Sequence, residues 1–417
     1  MKEPFGIKRS LSPFLGNVAL VVMGVGIALG IVELLMRTNP NWVPREVRVN
    51  PPARRVQAFI DETYAIKHSD GDLIYWMKGA IAPLSPDQDE VVAQVHMTTD
   101  ARGFRNLLPE KSSYQIVALG DSYTRASGVA APWPQVLAEA TGSDVLNLGD
   151  VGFGPQDELQ VLRQYGLKKQ PRWVIMAYFG GNDLYDAAAF ELAEPYILPR
   201  FVKYLLSQGI EAWPDSQQDG AQAAVAPGYR YPITVSMNDT NLVMAFFSSY
   251  ISWLSISGEE IELSQNYRLV REMILKARDL SEAAESRFLL VYLPTKEHVY
   301  LPYLNDAETL ANVFSDVPAL ELAESGFIHF ANRKATPALV RQHMDDQARL
   351  LAGFAAEHDI DYLDLTPHFR EEAGTGAELY YPYDTHWNQS GHDLAARVIG
   401  SYIEDVLAVA VNKNTGY

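Results

Sequence analysis

Four short polar segments carry residue types that together could catalyse acyl transfer. They are GDS at 120–122, NLGDVGFG at 147–154, GGND at 180–183 and DTHWN at 384–388. A serine hydroxyl is a weak nucleophile until a neighbouring base takes its proton, and a histidine oriented by a carboxylate is well suited to that task. The sequence therefore makes Ser122 a candidate nucleophile, His386 a candidate general base and Asp384 its candidate partner.

The glycine-rich segments supply groups that could stabilise an oxyanion. A glycine such as Gly152 lets a backbone N–H approach a ligand closely, and the amide of Asn182 is a good donor to a developing negative charge. Taken alone, each segment also has an ordinary structural interpretation, since GDS could cap a helix, Gly-Asn pairs form turns and a single histidine is often structural. The combination of the four segments is far more specific than any one of them.

Apolar runs of strand length alternate with helical segments from Tyr114 onward. The predicted strands are 114–119, 144–148, 172–178, 288–293 and 361–365, and the predicted helices are 133–140, 155–165, 264–285, 337–357 and 391–411. Continuous apolar strands alternating with helices indicate a parallel sheet covered on both faces. We therefore predict an α/β fold, a three-layer sandwich around a central parallel sheet. Ligands bind beyond the carboxyl ends of such strands, which is where chemistry is to be sought.

The four segments, in the order Ser, Gly, Asn and His, resemble the four blocks of the SGNH/GDSL hydrolase superfamily. The resemblance covers roughly 103–411, together with an RGFR stretch before the first strand. It implies an SGNH, flavodoxin-like fold with Ser122 as the nucleophile and His386 as the base. It also implies an oxyanion hole formed by the backbone N–H groups of Ser122 and Gly152 and by the side chain of Asn182.

Two positions depart from the family pattern. The usual spacing is D-x-x-H, but position 383 is Tyr, and Asp384 stands only two residues before His386. This spacing leaves the role of Asp384 open. The second departure is Ala126, at a position where many bacterial members carry Gly.

The D-x-H-W-N form is similar to the catalytic D-x-H-W segment of alginate O-acetyltransferases and related membrane-linked polysaccharide acetylation proteins. PTKEHVY at 294–300 is similar to their P-x-K-x-x-x-Y stretch, so Lys296 could bind substrate, pair with a carboxylate or be a solvated loop residue. Trp387 and Asp183 are further candidates for substrate binding, although Trp387 could simply pack at the site wall. The order of the segments differs from that in the alginate enzymes, so kinship over the whole chain is not implied.

An apolar run near the N-terminus predicts a membrane anchor. Residues 14–32 carry no charge, and about 20 apolar residues span a bilayer. A cleaved signal peptide would need a shorter apolar region and a small-residue cleavage site, and a buried soluble helix would show a polar face. We predict a tail at 1–12, an anchor at 13–35, a stalk and lead-in segment at 36–110, and a hydrolase-like domain at 111–411 with an insertion at 184–264.

The composition excludes several classes of function. The chain has 52 acidic and 34 basic residues and a net charge of −18, so it repels phosphate backbones and nucleic-acid binding is not expected. The lack of cysteine excludes disulfides, thiolate metal sites and a cysteine nucleophile. His392 near His386 could suggest a metal site, but GHDLAA at 391–396 is more typical of a helix start. We expect no metal and no cofactor.

These observations predict a membrane-anchored serine esterase that cleaves an O-acyl group, expected to be acetyl, from a carbohydrate or lipid through an acyl-enzyme. One alternative is an O-acetyltransferase for a cell-surface polysaccharide, served by a multi-span membrane partner. The other is a catalytically silent anchored subunit or binding platform. Basic residues flank the apolar run on both sides, so the positive-inside rule does not fix its orientation. We expect an inner-membrane anchor with the hydrolase-like domain in the periplasm, and an insertion that governs access of water or acceptor.

Overall fold

The computed structural model describes residues 12–39, 61–69, 89–100, 102–107, 109–126, 128–192, 229–382 and 384–415. The chain divides into two compact units, residues 1–56 with 193–218 and residues 57–192 with 219–417. The first unit contains helix α1 (Ser12–Thr38). Within the described ranges, none of the helices combines the length and the apolar character needed to cross a membrane. The anchor predicted at 13–35 falls on α1, where the side chains of 12–20 lie outside the described residues, and it stays a prediction.

The second unit contains all the described strands and the remaining described helices. The strands are β1 (Asp61–Ser69), β2 (Asp89–Thr98), β3 (Ile116–Leu119), β4 (Val145–Asn147), β5 (Trp173–Phe179), β6 (Tyr229–Met237), β7 (Thr240–Phe247), β8 (Arg287–Leu293), β9 (Pro318–Leu322), β10 (Ile328–Lys334) and β11 (Asp361–Asp364). The helices are α2 (Ser122–Arg125), α3 (Trp133–Thr141), α4 (Pro155–Val161), α5 (Asp183–Leu192), α6 (Ser248–Trp253), α7 (Gly258–Leu263), α8 (Gln265–Ala283), α9 (Lys296–Tyr300), α10 (Ala307–Val313), α11 (Pro337–His343), α12 (Asp346–Glu357), α13 (Thr366–Gly374) and α14 (Gln389–Thr415).

Five strands form a parallel sheet in the order β11-β8-β5-β3-β4. Within this sheet, β3 is the first strand along the chain. The next strand, β4, pairs with one edge of β3, and β5, β8 and β11 follow in order on its other side. The strand order therefore reverses between β3 and β5, and in open α/β sheets ligands bind at the carboxyl ends of the strands at such a point. The other strand pairs, β1 with β2, β6 with β7 and β9 with β10, are antiparallel hairpins.

The sheet is covered on both faces, as predicted. Successive side chains of a strand point to opposite faces, and Ile116 and Ala118 of β3 join one apolar core whereas Val117 and Leu119 join the other. Buried residues of α3, α13 and α14 complete the first core, and those of α4, α8 and α12 complete the second. The α/β architecture around a central parallel sheet is therefore confirmed.

The predicted elements agree well within the sheet and less well outside it. All five predicted sheet strands are present with bounds within two residues. The helix predicted at 337–357 is instead two helices, α11 and α12, because the chain turns at Asp345, whose carboxylate binds His298 and Arg370. The helix predicted at 155–165 is α-helical only to Val161 and continues as a π-helical turn.

Candidate active site

The candidate nucleophile lies where β3 meets α2. Ser122 is the first residue of this one-turn helix, and the carboxylate of Asp121 caps it by accepting the backbone N–H of Tyr123 at 2.9 Å. A small residue is required before the turn, because a Cβ at Gly120 would stand 2.2 Å from Oγ1 of Thr124. This tight turn places Ser122 at the carboxyl end of β3, beside the point where the strand order reverses.

Ser122, His386 and Asp384 form a continuous hydrogen-bonded relay. Oγ of Ser122 lies 2.9 Å from Nε2 of His386, and the other ring nitrogen, Nδ1, lies 2.6 Å from Oδ1 of Asp384. The same carboxylate oxygen accepts the backbone N–H of His386 at 2.8 Å. A carboxylate two residues before the histidine can therefore contact both the backbone N–H and the ring of that histidine. The D-x-H spacing is compatible with the partner role.

Asp384 and His386 each stabilise the charged form of the other. Burial lowers the pKa of His386, but Asp384 outweighs it and the net pKa of the imidazole is raised. Burial raises the pKa of Asp384, but the His386 ring and backbone hydrogen bonds outweigh it, so the net pKa of this carboxyl is lowered. The carboxylate thus stays ionised and stabilises the imidazolium that forms when the imidazole takes a proton.

The turn after β4 lies beside the nucleophile. Asp150 donates its backbone N–H to the carbonyl of Gly120 at 3.2 Å, and the side-chain amide of Asn147 donates to the carbonyl of Thr124 in α2 at 2.8 Å. Gly152 follows in this turn with φ of 70°, a left-handed conformation that favours glycine. The turn that contains the predicted second oxyanion donor is thereby fastened to the nucleophile segment.

Asn182 and Asp183 follow β5 and have different surroundings. The half-buried Asn182 accepts the backbone N–H of Asp186 at 2.7 Å through its main-chain carbonyl, which fixes its backbone at the start of α5. Asp183 is buried, and its Oδ2 accepts the backbone N–H of Phe179 at 2.8 Å. Asp183 therefore closes the turn between β5 and α5. Its burial does not fit the substrate-binding role that we predicted for it.

Trp387 and His392 are part of the packing behind the site. The buried Trp387 ring stacks on Phe369 with centroids 4.9 Å apart and meets the edge of Tyr123 at 5.2 Å. Trp387 thus packs at the wall, and its burial does not fit direct contact with substrate. Nδ1 of the buried His392 accepts the backbone N–H of Trp133 at 3.3 Å, which caps α3. Among the described residues no group of side chains is arranged to hold a metal ion.

Lys296 is also withdrawn from the surface. Its side chain is 0% exposed, and Nζ donates to the carbonyls of Tyr381 and Pro382 at 2.8 and 3.1 Å. Burial lowers the pKa of Lys296 to about 8, although nearby carboxyl groups oppose this effect. The side chain therefore does not lie solvated on a loop.

The insertion predicted at 184–264 reaches the histidine loop. The backbone N–H of Ala245 in β7 donates to the carbonyl of Pro382 at 2.7 Å, and that of Phe247 donates to Oε1 of the buried Glu297 at 2.6 Å. Tyr250 of α6 packs edge-on against Phe179, with centroids 5.5 Å apart. The described part of the insertion therefore supports the loop from outside.

Arg105, in the RGFR stretch, supports the other side of the site. Its buried guanidinium donates to the carbonyls of Ala126, Val129 and Ala130. Ala126 has φ of 51°, in the left-handed region that glycine adopts without strain, which gives a physical reason for the family's usual Gly. Our reasoning from residue types did not find this arginine, and only its place in a stretch shared with the family pointed to it.

A buried acidic cluster lies behind the nucleophile and was not anticipated. It comprises the buried Asp121, Glu158 and Asp183 and the half-buried Asp186. Burial, reinforced by the neighbouring carboxyl groups, raises the pKa of Asp186 to about 8 and those of Glu158 and Asp183 well above their usual range. Burial raises the pKa of Asp121 to about 6. Glu158, Asp183 and Asp186 therefore bind protons at neutral pH in the folded state, whereas Asp121 is mostly ionised there.

A cavity of about 470 Å³ lies apart from Ser122 and His386. It is lined by residues at 105–107 and 109–111, by α3 and by the edge strand β4. Its lining includes Tyr114, Pro134 and Asn147 but not the Ser122–His386 pair.

Comparisons with known proteins agree with the C-terminal half of the site. Residues 330–416 match the family model for the SGNH hydrolase-like domain of the acetyltransferase AlgX. This segment contains Asp384 and His386, so the resemblance to SGNH hydrolases and to the alginate acetylation proteins is confirmed there. No curated protein matches the chain.

Several solved structures resemble the chain at low identity. A lipolytic protein of the G-D-S-L family from Desulfitobacterium hafniense is 14% identical over 69% of this chain and 99% of that one, with a TM-score of 0.32. A GDSL-like lipase from Bacteroides thetaiotaomicron is 12% identical over 72% and 93%, with a TM-score of 0.32. An acetylxylan esterase from Geobacillus stearothermophilus is 15% identical over 70% and 94%, with a TM-score of 0.31. Similarities this weak carry no conclusion about substrate.

Proposed function

We propose that this chain, which carries an SGNH hydrolase-like domain, is a serine esterase that cleaves an O-acyl ester, with acetyl as the expected acyl group, through a covalent acyl-enzyme. The observation that carries the proposal is the relay in which Oγ of Ser122 lies 2.9 Å from Nε2 of His386, and Nδ1 lies 2.6 Å from Asp384. This is the geometry that an activated serine requires.

The steps follow from this geometry. Oγ of Ser122 attacks the ester carbonyl carbon while Nε2 of His386 takes the hydroxyl proton, and Asp384 stabilises the imidazolium. The tetrahedral intermediate collapses, the C–O bond to the alcohol breaks, and His386 returns the proton to the leaving oxygen. Water, deprotonated by His386, then attacks the acyl carbon. The bond from this carbon to Oγ breaks, His386 returns the proton to Oγ, and the acid and the free Ser122 hydroxyl are released.

The negative oxygen of the intermediate needs donors. We assign this task to the backbone N–H groups of Ser122 and Gly152 and to the side-chain amide of Asn182. The fastened turn after β4 and the fixed backbone of Asn182 support the assignment, because donors stabilise an oxyanion best when they do not have to reorganise. Each such donor is typically worth about 3 kcal/mol of activation free energy.

The second candidate is an O-acetyltransferase for a cell-surface polysaccharide. The specific observation in its favour is the match of residues 330–416 to the domain of the acetyltransferase AlgX. The chemistry is the same up to the acyl-enzyme, after which a sugar hydroxyl takes the place of water. A multi-span membrane protein that exports acyl groups would then be the natural partner.

The membrane anchor belongs to the same proposal. Most of the described apolar side chains of α1 are exposed, among them Val21 at 65%, Ile27 at 58% and Leu34 at 60%, and such a surface favours a lipid or protein environment. We infer an inner-membrane location with the hydrolase-like unit in the periplasm. Resistance of the full-length protein to extraction from membranes by alkaline carbonate would support it, and complete release would contradict it.

The test of the enzymatic proposal uses the full-length chain with Ser122→Ala and His386→Ala. Hydrolysis of a chromogenic acetyl ester is measured, with Ser315→Ala, on an exposed turn, as the matched control. We expect activity in the wild type and the control and its loss in both site variants. Labelling of the wild type by a fluorophosphonate, absent in Ser122→Ala, would identify the nucleophile independently.

The outcomes separate the candidates. An added polysaccharide can serve as the acceptor in place of water. Faster cleavage of the acetyl ester in its presence, with the acetyl group recovered on the glycan, favours transfer over hydrolysis. Labelling of Ser122 without turnover of any ester in water points to a strict transferase. Neither labelling nor turnover in the folded wild type would contradict both candidates and leave the silent binding platform.

A further inference from the structure

The most unusual side chain near the site is Lys296, because lysine is almost never fully buried unless it is paired. It is the first residue of α9, directly after the carboxyl end of β8, and Thr295 caps the helix by accepting the N–H of His298 at 3.0 Å. Its side chain is 0% exposed. A buried ammonium must be compensated by hydrogen bonds and opposite charge, so its partners indicate its role.

The partners of Lys296 are two consecutive main-chain carbonyls of the histidine loop. Nζ donates to Tyr381 at 2.8 Å and to Pro382 at 3.1 Å. The carbonyl of Tyr381 also receives the backbone N–H of Asp384 at 3.4 Å, and its N–H donates to the carbonyl of His386 at 2.9 Å. The lysine therefore binds inside the turn that presents the Asp384–His386 pair.

Strand β7 and three carboxyl groups also lie close to this part of the histidine loop. The carbonyl of Pro382 accepts the N–H of Ala245 from β7 as well as the lysine. Three carboxyl groups, those of Glu297, Glu378 and Asp384, oppose the lowering of the lysine's pKa by burial. The ammonium is thus compensated by loop carbonyls and by nearby acids, and all of these partners belong to the protein.

We propose that Lys296 is a positioning residue that holds the loop carrying Asp384 and His386 in its productive geometry and does not bind substrate. This inference rests on the proposed function, since it assigns the lysine a task in that reaction. Removal of the ammonium takes one of the two donors from each of these half-buried carbonyls and leaves only the backbone N–H groups of Asp384 and Ala245 to hold this part of the loop. A displacement of about 1 Å of a reacting group can reduce the rate by about 10²-fold.

The first experiment compares full-length wild type, Lys296→Met and Lys276→Met by steady-state kinetics on an acetyl ester. Lys276 is an exposed lysine of α8 paired with Glu272, and it serves as the matched control. We expect kcat of Lys296→Met to fall about 10²-fold with KM almost unchanged, and the control to behave as wild type. A rise in KM at unchanged kcat would mean substrate binding and overturn the proposal, as would an unchanged kcat and KM.

The second experiment does not depend on turnover. The low-field proton resonance of the His386 imidazole N–H, assigned by its loss in His386→Ala, reports the hydrogen bond to Asp384. We expect it to broaden or move in Lys296→Met and to stay in place in Lys276→Met; an unchanged resonance in Lys296→Met would overturn the proposal. If the wild type hydrolyses no ester, the proposed function fails, and this resonance still tests the lysine.

The neutral variant Lys296→Gln covers the case in which Lys296→Met does not fold. Its shorter amide can donate to one of the two carbonyls, so we expect a kcat between those of the wild type and the methionine variant, and a displaced imidazole resonance. Wild-type kcat and an unmoved resonance in folded Lys296→Gln would also contradict the positioning role.

Discussion

Oγ of Ser122 lies 2.9 Å from Nε2 of His386, although 264 positions of sequence separate the two residues. One follows β3 and the other lies on the loop before α14, so only the packed sheet brings them together. The loop is held at that distance by the contacts of Lys296 below it and by Tyr123, whose hydroxyl donates to the carbonyl of Thr385 at 2.6 Å. The candidate nucleophile and base therefore already lie within hydrogen-bond distance of each other.

Substitution of the carboxylate tests whether the short D-x-H spacing functions. Asp384→Asn keeps the shape of the side chain but loses the charge and favours the wrong imidazole tautomer, so we expect kcat to fall about 10³- to 10⁴-fold. The measurement is ester hydrolysis, with Asp393→Asn, an exposed aspartate of α14, as the control. Retention of wild-type kcat in Asp384→Asn would show that this carboxylate is not the partner of His386.

The pH dependence of the reaction follows from the raised pKa of His386. The protonated imidazole cannot accept the serine proton, so kcat/KM rises with pH through that pKa, which lies above the ordinary value of about 6.5. Asp384 raises this pKa, so in Asp384→Asn the residual activity should begin at lower pH. A wild-type profile with its acid limb below the ordinary histidine pKa would contradict the stabilising role of Asp384.

The oxyanion assignment predicts a loss confined to the chemical step. Asn182→Ala removes one side-chain donor, and we expect kcat to fall about 10²- to 10³-fold with little change in KM. The exposed Asn305 provides the control variant, Asn305→Ala. Since the alanine variant keeps Ser122 and His386, a kcat equal to that of the wild type would remove Asn182 from the oxyanion hole.

The sheet could be predicted from sequence because its strands are buried along their whole length. Residues 173–179 of β5 are all buried, and such continuous apolar runs have few alternative interpretations. The β9–β10 hairpin was not predicted, since Ile328 and Ala331 are buried and the other residues of β10 are exposed. The break between α11 and α12 depends on contacts of Asp345 with distant residues, which no local pattern encodes.

The motifs point to the candidate site residues, but the surroundings of these residues could not be predicted from the sequence. Asp183, Trp387 and Lys296 stand in or near these motifs, and yet all three are buried and directed into the protein. Exposure is decided by tertiary packing, and a charged residue in a loop gives no sequence signal of burial. The acidic cluster is not evident from the sequence for the same reason, because its members come from three separate segments: the turn between β3 and α2, helix α4 and helix α5.

This cluster predicts that the folded protein loses stability as the pH rises. Burial raises the pKa of Asp186 to about 8 from an ordinary value near 3.8, so the folded state binds a proton that the unfolded state has lost. Its contribution is fully present below the unfolded pKa and is lost as the pH rises through about 8, with a slope of at most about 1.4 kcal/mol per pH unit. In Asp186→Asn this contribution is absent, so we expect a flatter dependence of the unfolding free energy on pH. Chemical denaturation at several pH values measures it, with Asp279→Asn on the exposed surface of α8 as control; equal slopes in wild type and Asp186→Asn would show that Asp186 is ionised in the folded protein.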